Sequence, residues 1–182
     1  MNLDLTHHFH RIAWARSQQQ NKAERALNLL KEMKQLYKEG DKDVRPNVVV
    51  ANAVMNACAY TMGDVPERNR AMEIAHKVLR SMESGEYGKP DQITYGTFLK
   101  VFANQMPECS TREQIVEMIF KKCVASGQVG NLVLQQLKAI TSPEKYFDLV
   151  GMNIYDDHGM EDLPNEWWSN VVEGKWRRRR NF

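Results

Sequence analysis

The chain has 182 residues, 42% hydrophobic and 26% charged, with a formal net charge of +2. That length can bury one sizeable core, or one stack of repeats, without disulfides or metal. No run approaches the ~18 uninterrupted apolar residues of a membrane span, and Cys58, Cys109 and Cys123 form no CxxC pair, which argues against a zinc ribbon or a disulfide framework.

The opening stretch MNLDLTHHFH has no apolar h-region and contains Asp4, so it reads as neither a signal peptide nor an Arg/Ser-rich transit peptide. LTHHFHRIAWARS, from Leu5, is the first helical pattern. AERALNLLKEMKQLY (23–37) then sets Ala23, Leu27, Leu30, Met33 and Tyr37 at i+3/i+4 steps, the period of an amphipathic helix. Gly40 and Pro46 interrupt that pattern, and Asn47 stands where a side-chain oxygen caps the next helix. VVVANAVMNACAY (48–60) and NRAMEIAHKVLRSME (69–83) predict a second helix pair, closed by Gly88, Pro90 and Asp91. ITYGTFLKVFAN (93–104) and EQIVEMIFKKCVASG (113–127) predict a third. NLVLQQLKAI and PEKYFDLV read as two shorter helices, with Pro143 at a favoured helix start. From about Met152 the periodicity fades into a polar, turn-rich stretch. A short helix in NEWWSNVV would let Trp167 and Trp168 pack back on the body.

The helix pairs recur. Pro46 and Pro90 stand 44 residues apart, as do Asn47 and Asp91. The copies span about 4–47, 48–91 and 92–127, followed by cap helices over 128–151 and a tail over 152–182. One helical hairpin cannot hide its apolar stripe, whereas stacked copies bury the stripes between neighbours. The expected fold is therefore all-α: an α-solenoid of stacked helix–turn–helix repeats over 1–151, then the tail.

Charge is unevenly spread. Residues 152–176 hold one Lys/Arg against six Asp/Glu, and Arg177–Arg180 then add four cations. The body before them is close to neutral, unlike the broad basic face of a dedicated nucleic-acid binder.

The tetratricopeptide pattern needs a Leu-Gly pair in its first helix, and the bulky Val54–Met55 and Phe98–Leu99 occupy that place. The run VVVANAVMNAC, RAMEIAHKVLRSME, KPD instead resembles the pentatricopeptide-repeat (PPR) family. That family's first helix begins Val-x-Thr-Tyr-Asn-x-Leu-Ile, its second carries Ala-x-x-(Leu/Phe)-x-x-Met, and its motif closes with Pro-Asn or Pro-Asp. Ile93-Thr94-Tyr95 and Val48 to Asn52 are the best matches. The resemblance covers roughly 4–126, and the repeats are longer than is usual in the family.

The resemblance implies a non-catalytic, single-stranded RNA-binding protein of organellar RNA processing, stability or translation. In such proteins the first helices line a groove that reads about one base per repeat. The fifth residue of the first helix and the last of the repeat meet the base edge; the second residue packs on the base face. The second repeat then contributes Val49, Asn52 and Asp91, a combination resembling the uracil-preferring one. An amide offers both a donor and an acceptor to a pyrimidine edge. The first repeat contributes Leu5, His8 and Asn47, and the third Ile93 and Gly96, where Gly96 has no side chain to read with. A plainer reading makes Asn47 and Asp91 helix caps and Asn52 an exposed polar residue. The alternative function is a protein–protein scaffold on the same surface, favoured by the lack of Lys or Arg in 48–61.

The resemblance also implies a mitochondrial or plastid location. With no transit peptide visible, the options are a fragment of a longer chain or a cytoplasmic protein. No cofactor, membrane or small-molecule substrate is expected. His7, His8 and His10 lack a completing ligand set for metal, and Asp156, Asp157, Glu161 and Asp162 read as a solvated acidic linker. Trp176 with Arg177, Arg178, Arg179 and Arg180 is a candidate phosphate contact, with a localisation-like patch or a solvated tail as the alternatives.

Overall fold

Four of the described helix starts are set by a short polar side chain standing just outside the helix. In this computed structural model, which describes residues 21–172, the Asn47 side chain accepts from the Val50 N–H at 3.1 Å, and Asp64 accepts from Glu67 at 3.0 Å. Asp91 and Thr94 form a reciprocal capping box, each side chain taking the other's backbone N–H. These bonds satisfy donors that have no intrahelical partner. Ser142 caps with Pro143 in the first turn.

Among the described residues the protein is all-helical. The helices are α1 (Lys22–Glu39), α2 (Val48–Ala59), α3 (Val65–Glu83), α4 (Gln92–Gln105), α5 (Ser110–Ala125), α6 (Asn131–Ile140), α7 (Pro143–Val150) and α8 (Asn165–Trp168). Two 3-10 turns, Lys42–Val44 and Met160–Asp162, complete the elements. α1 ends where Gly40 takes the left-handed conformation, φ 112°, which costs a residue without Cβ little.

Two kinds of helix alternate. α1, α3 and α5 bury one stripe each: Leu27, Leu30 and Met33; Ile74, Val78 and Met82; Val116, Ile119 and Cys123. α2 and α4 bury most of their length. A helix with neighbours on several sides does so. α2 contacts α1, α3 and α4, and α4 contacts α2, α3, α5 and α6.

Helices α2, α4 and α6 lie side by side in that order. α2 and α4 run parallel, because Asn52 meets Thr94 near their starts and the Cys58 carbonyl meets Gln105 near their ends. Gln105 Nε2 lies within 3.0–3.1 Å of the carbonyls of Cys58, Ala59 and Thr61, so a side chain of the neighbouring helix serves carbonyls at and just beyond the end of α2. Between α4 and α6, a Cβ on Gly96 would fall 2.7 Å from Leu132 Cγ.

The chain after α7 turns back on the body. Tyr146 and His158 share a hydrogen bond at 2.7 Å, and Asn131 Oδ1 accepts from the Met160 N–H. Trp167 stands edge-on to Phe120 at 5.7 Å between ring centroids. Met160 and Leu163 are buried, while Asp156, Asp157, Glu161 and Asp162 face solvent.

Candidate functional site

The side-by-side helices bring Asn52 and Asp91 together although 39 residues separate them. Asn52 Nδ2 donates to Asp91 Oδ1 at 3.1 Å, and Thr94 Oγ1 lies 2.7 Å from Asn52 Oδ1 and 2.9 Å from Asp91 Oδ1. The single hydroxyl proton serves one of those acceptors at a time. Asn52 is 8% exposed and Thr94 fully buried, whereas Asp91 is half-buried. The three groups form one polar knot at the starts of α2 and α4, and Asp91 is its most exposed member.

Apolar side chains stand beside this knot. Val49 is 74% exposed and Ile93 48% exposed. Each is the second residue of its helix, and Leu132 holds the same place in α6. Asn47 is exposed, with its side-chain oxygen engaged as the cap of α2.

Gly96 is buried beneath Leu132. Its missing side chain makes room for α6, a packing role. Leu5, His8 and the Trp176, Arg177, Arg178, Arg179, Arg180 cluster lie outside the described residues. Asn52 is not the exposed polar residue of the plainer reading, whereas Asn47 and Asp91 are helix caps.

The sequence reading missed part of this face. Ala53, Asn56 and Tyr60 continue the line of Val49 along α2, and Lys100 and Asn104 continue that of Ile93 along α4, all at least partly exposed. The signal was present: 49, 53, 56 and 60 follow helical steps, and adding 44 yields 93, 97, 100 and 104. Lys100 Nζ donates to the Tyr60 hydroxyl and lies 4.5 Å from its ring centroid, a cation–π geometry. Asn104 Nδ2 donates to the Ala59 carbonyl at 2.8 Å. Helices α2, α4 and α6 together hold two cations, Lys100 and Lys138, and Lys138 donates to the Asp156 carbonyl.

A second concavity lies between α3 and α5, lined by Met72, His76, Phe102, Met106 and Ile115 among others, with a volume of about 880 Å³. His76 stands edge-on to Phe98 and Phe102, and burial, then the nearby Arg80 and Lys122 charges, push its pKa down. Among the described residues no cluster of three His, Cys, Asp or Glu side chains could hold a metal ion, and no helix is long and apolar enough to cross a membrane. No family model matches the chain, and neither curated proteins nor solved structures yield a match.

Proposed function

We propose that the protein is a non-catalytic, single-stranded RNA-binding helical-repeat protein of the PPR type, an α-solenoid whose α2, α4 and α6 present the binding edge. The observation that carries this reading is the meeting of Asn52 and Asp91, flanked by exposed Val49 and Ile93. Their pairing sets a donor-bearing amide beside an acceptor-only carboxylate. The bonds that the Asp91 side chain makes to Asn52 and Thr94 all fall on Oδ1, which leaves Oδ2 for a ligand. Uracil suits such an edge: its N3–H donates to a carboxylate and its carbonyls accept from an amide, while Val49 and Ile93 cover the base faces. Organellar RNA processing, stability or translation is the setting the resemblance suggests.

Binding by this edge alone is weak. Even stacking of three bases on aromatic side chains would contribute only about 3–9 kcal/mol, set against about 4–15 kcal/mol of lost freedom and ordering, and this edge offers aliphatic groups instead. The second reading, a protein-binding scaffold, draws on the same surface and is favoured by its scarcity of cations.

Titration of short U-rich, A-rich and C-rich RNAs over a salt series separates the two. The RNA reading expects binding at low salt with a preference for U-rich sequence. Absence of binding at low salt by intact protein would contradict it and leave the scaffold.

A further inference from the structure

The second helices of the repeats leave a gap. α1 and α3 pack together, whereas α3 and α5 are parted by a groove of about 880 Å³. Its α3 wall runs from Asn69 to Ser84 through Met72, His76 and Arg80. Those i+3/i+4 steps keep to one face of a helix over about 22 Å, or about four turns. Phe102 and Met106, from the end of α4, and Ile115 of α5 complete the lining. Phe102 is buried, and Met72, His76, Met106 and Ile115 are half-buried, so an apolar floor stays partly open to solvent. Exposed apolar surface of this kind marks interaction sites, and methionine adapts to varied apolar shapes. Phe98 and Phe102, which meet His76, stand about half a turn around α4 from Ile93 and Lys100. The groove therefore lies on the other side of α4 from the Val49–Ile93 face.

Charge says what covers it. The carboxylates of this face are engaged: Glu73 by Arg70 at 3.1 Å and Glu83 by Lys122 at 2.6 Å. Lys77 and Arg80 also line the groove and are exposed. Neither makes a side-chain hydrogen bond or an ion pair among the described residues. The uncompensated charge of the groove is therefore positive. A second copy seated face to face would bring the same cations together, and like charges across an interface cost affinity. A trough about four turns long, apolar along its floor and bounded by helices, has the shape that takes the apolar face of a further helix. We propose that the α3–α5 groove docks an acidic amphipathic helix of a partner protein, its apolar stripe seated on Met72, Phe102, Met106 and Ile115 and its carboxylates on Lys77 and Arg80. His76 adds a polar handle: it has no hydrogen-bond partner among the described residues. Its neutral ring offers one donor and one acceptor. The site is separate from the α2–α4–α6 edge and does not depend on the RNA reading.

The test uses the full chain, isotope-labelled, and synthetic peptides of about 16 residues, or about four helical turns. One peptide carries Leu at i, i+3/i+4 and i+7 steps with Glu on both flanks. The second has Lys in place of Glu, and the third scrambles the acidic composition so that Leu forms no stripe. The acidic striped peptide should shift the amides of Met72, His76, Arg80 and Ile115 saturably and bind at least about tenfold more tightly than either control. In a variant combining Lys77→Glu and Arg80→Glu, both at exposed positions, the basic striped peptide should become the tighter ligand, with the melting temperature little changed. Equal affinity of the acidic and basic peptides for the wild type overturns the proposal. So does an acidic peptide that fails to bind saturably, binds no better than its scrambled twin, or shifts residues away from the groove.

Discussion

The Asn52 amide donates to the Asp91 carboxylate at 3.1 Å, joining the fifth residue of α2 to the residue that caps α4. One contact therefore belongs both to the packing of neighbouring helices and to the candidate ligand edge. Asp91→Ala removes the cap of α4, costing about 1 kcal/mol, and leaves the buried Asn52 and Thr94 groups short of a partner, costing about 1–3 kcal/mol. Urea unfolding should show a loss of about 2–4 kcal/mol. Asp91→Asn keeps an acceptor oxygen and should lose less than half as much. A double-mutant cycle with Asn52→Ala should yield coupling of at least about 0.5 kcal/mol; additive losses would mean that the two side chains do not act together.

Gly96 tests the spacing of α4 and α6. Alanine is intrinsically better in a helix by about 1 kcal/mol, but its Cβ would sit 2.7 Å from Leu132 Cγ. Overpacking of that kind costs about 1–3 kcal/mol, so Gly96→Ala should be neutral to destabilising by about 2 kcal/mol. In a Leu132→Ala background the same change should become stabilising. A stabilising Gly96→Ala in the wild-type background would show that the two helices are not so closely seated.

These two residues also show how much was legible. Helical periodicity and the 44-residue spacing predicted each described helix to within a few residues, because core stripes and caps are local signals. Asn52 and Asp91 were picked out by their repeat positions, yet nothing local says that they bond to one another or that Thr94 joins them. That depends on how neighbouring helices are seated. Gly96 illustrates the same limit: sequence shows a missing side chain, and only the packing of α6 supplies the reason. Gln105, which reaches three carbonyls at the end of α2, gave no local signal. The seat of the 165–172 segment depends on Gly127 and Gln128, whose carbonyl and side-chain amide bond Asn170, and neither gave a local signal.

Acid should weaken the link between α5 and α7. Glu117 accepts from Lys121 on its own helix and from Lys145 on α7, each at 2.6 Å. These hydrogen bonds, Lys121 first, hold its pKa down to about 2. A folded-state value below the unfolded one contributes stability above the unfolded value and loses it as pH falls through the folded value. The loss therefore falls between the ordinary carboxylate range and about pH 2, and salt reduces it because the pair is solvent-accessible. Thermal melts of Glu117→Gln should show a flatter acid limb over that window; an unchanged limb would mean that the pair contributes nothing.

Thiol reactivity reports on the core. Cys58 and Cys123 are fully buried, burial pushes the Cys58 thiol up to about 12, and it raises Cys123 as well. Cys109 is only half-buried. A mild thiol reagent at neutral pH should modify one cysteine per native molecule, at Cys109, and three in denaturant. Rapid labelling of Cys58 or Cys123 in the native protein would contradict the close packing of α2 and α5.

The most direct test of the central claim is a titration of isotope-labelled protein with a short U-rich RNA, followed by amide NMR. The Asn52 side-chain NH2 and the backbone amides of Val49, Asp91 and Ile93 should shift first and saturably, with smaller changes for an A-rich RNA. Shifts confined to the α3–α5 concavity around His76, or no saturable shift at the Asn52–Asp91 edge, would contradict it.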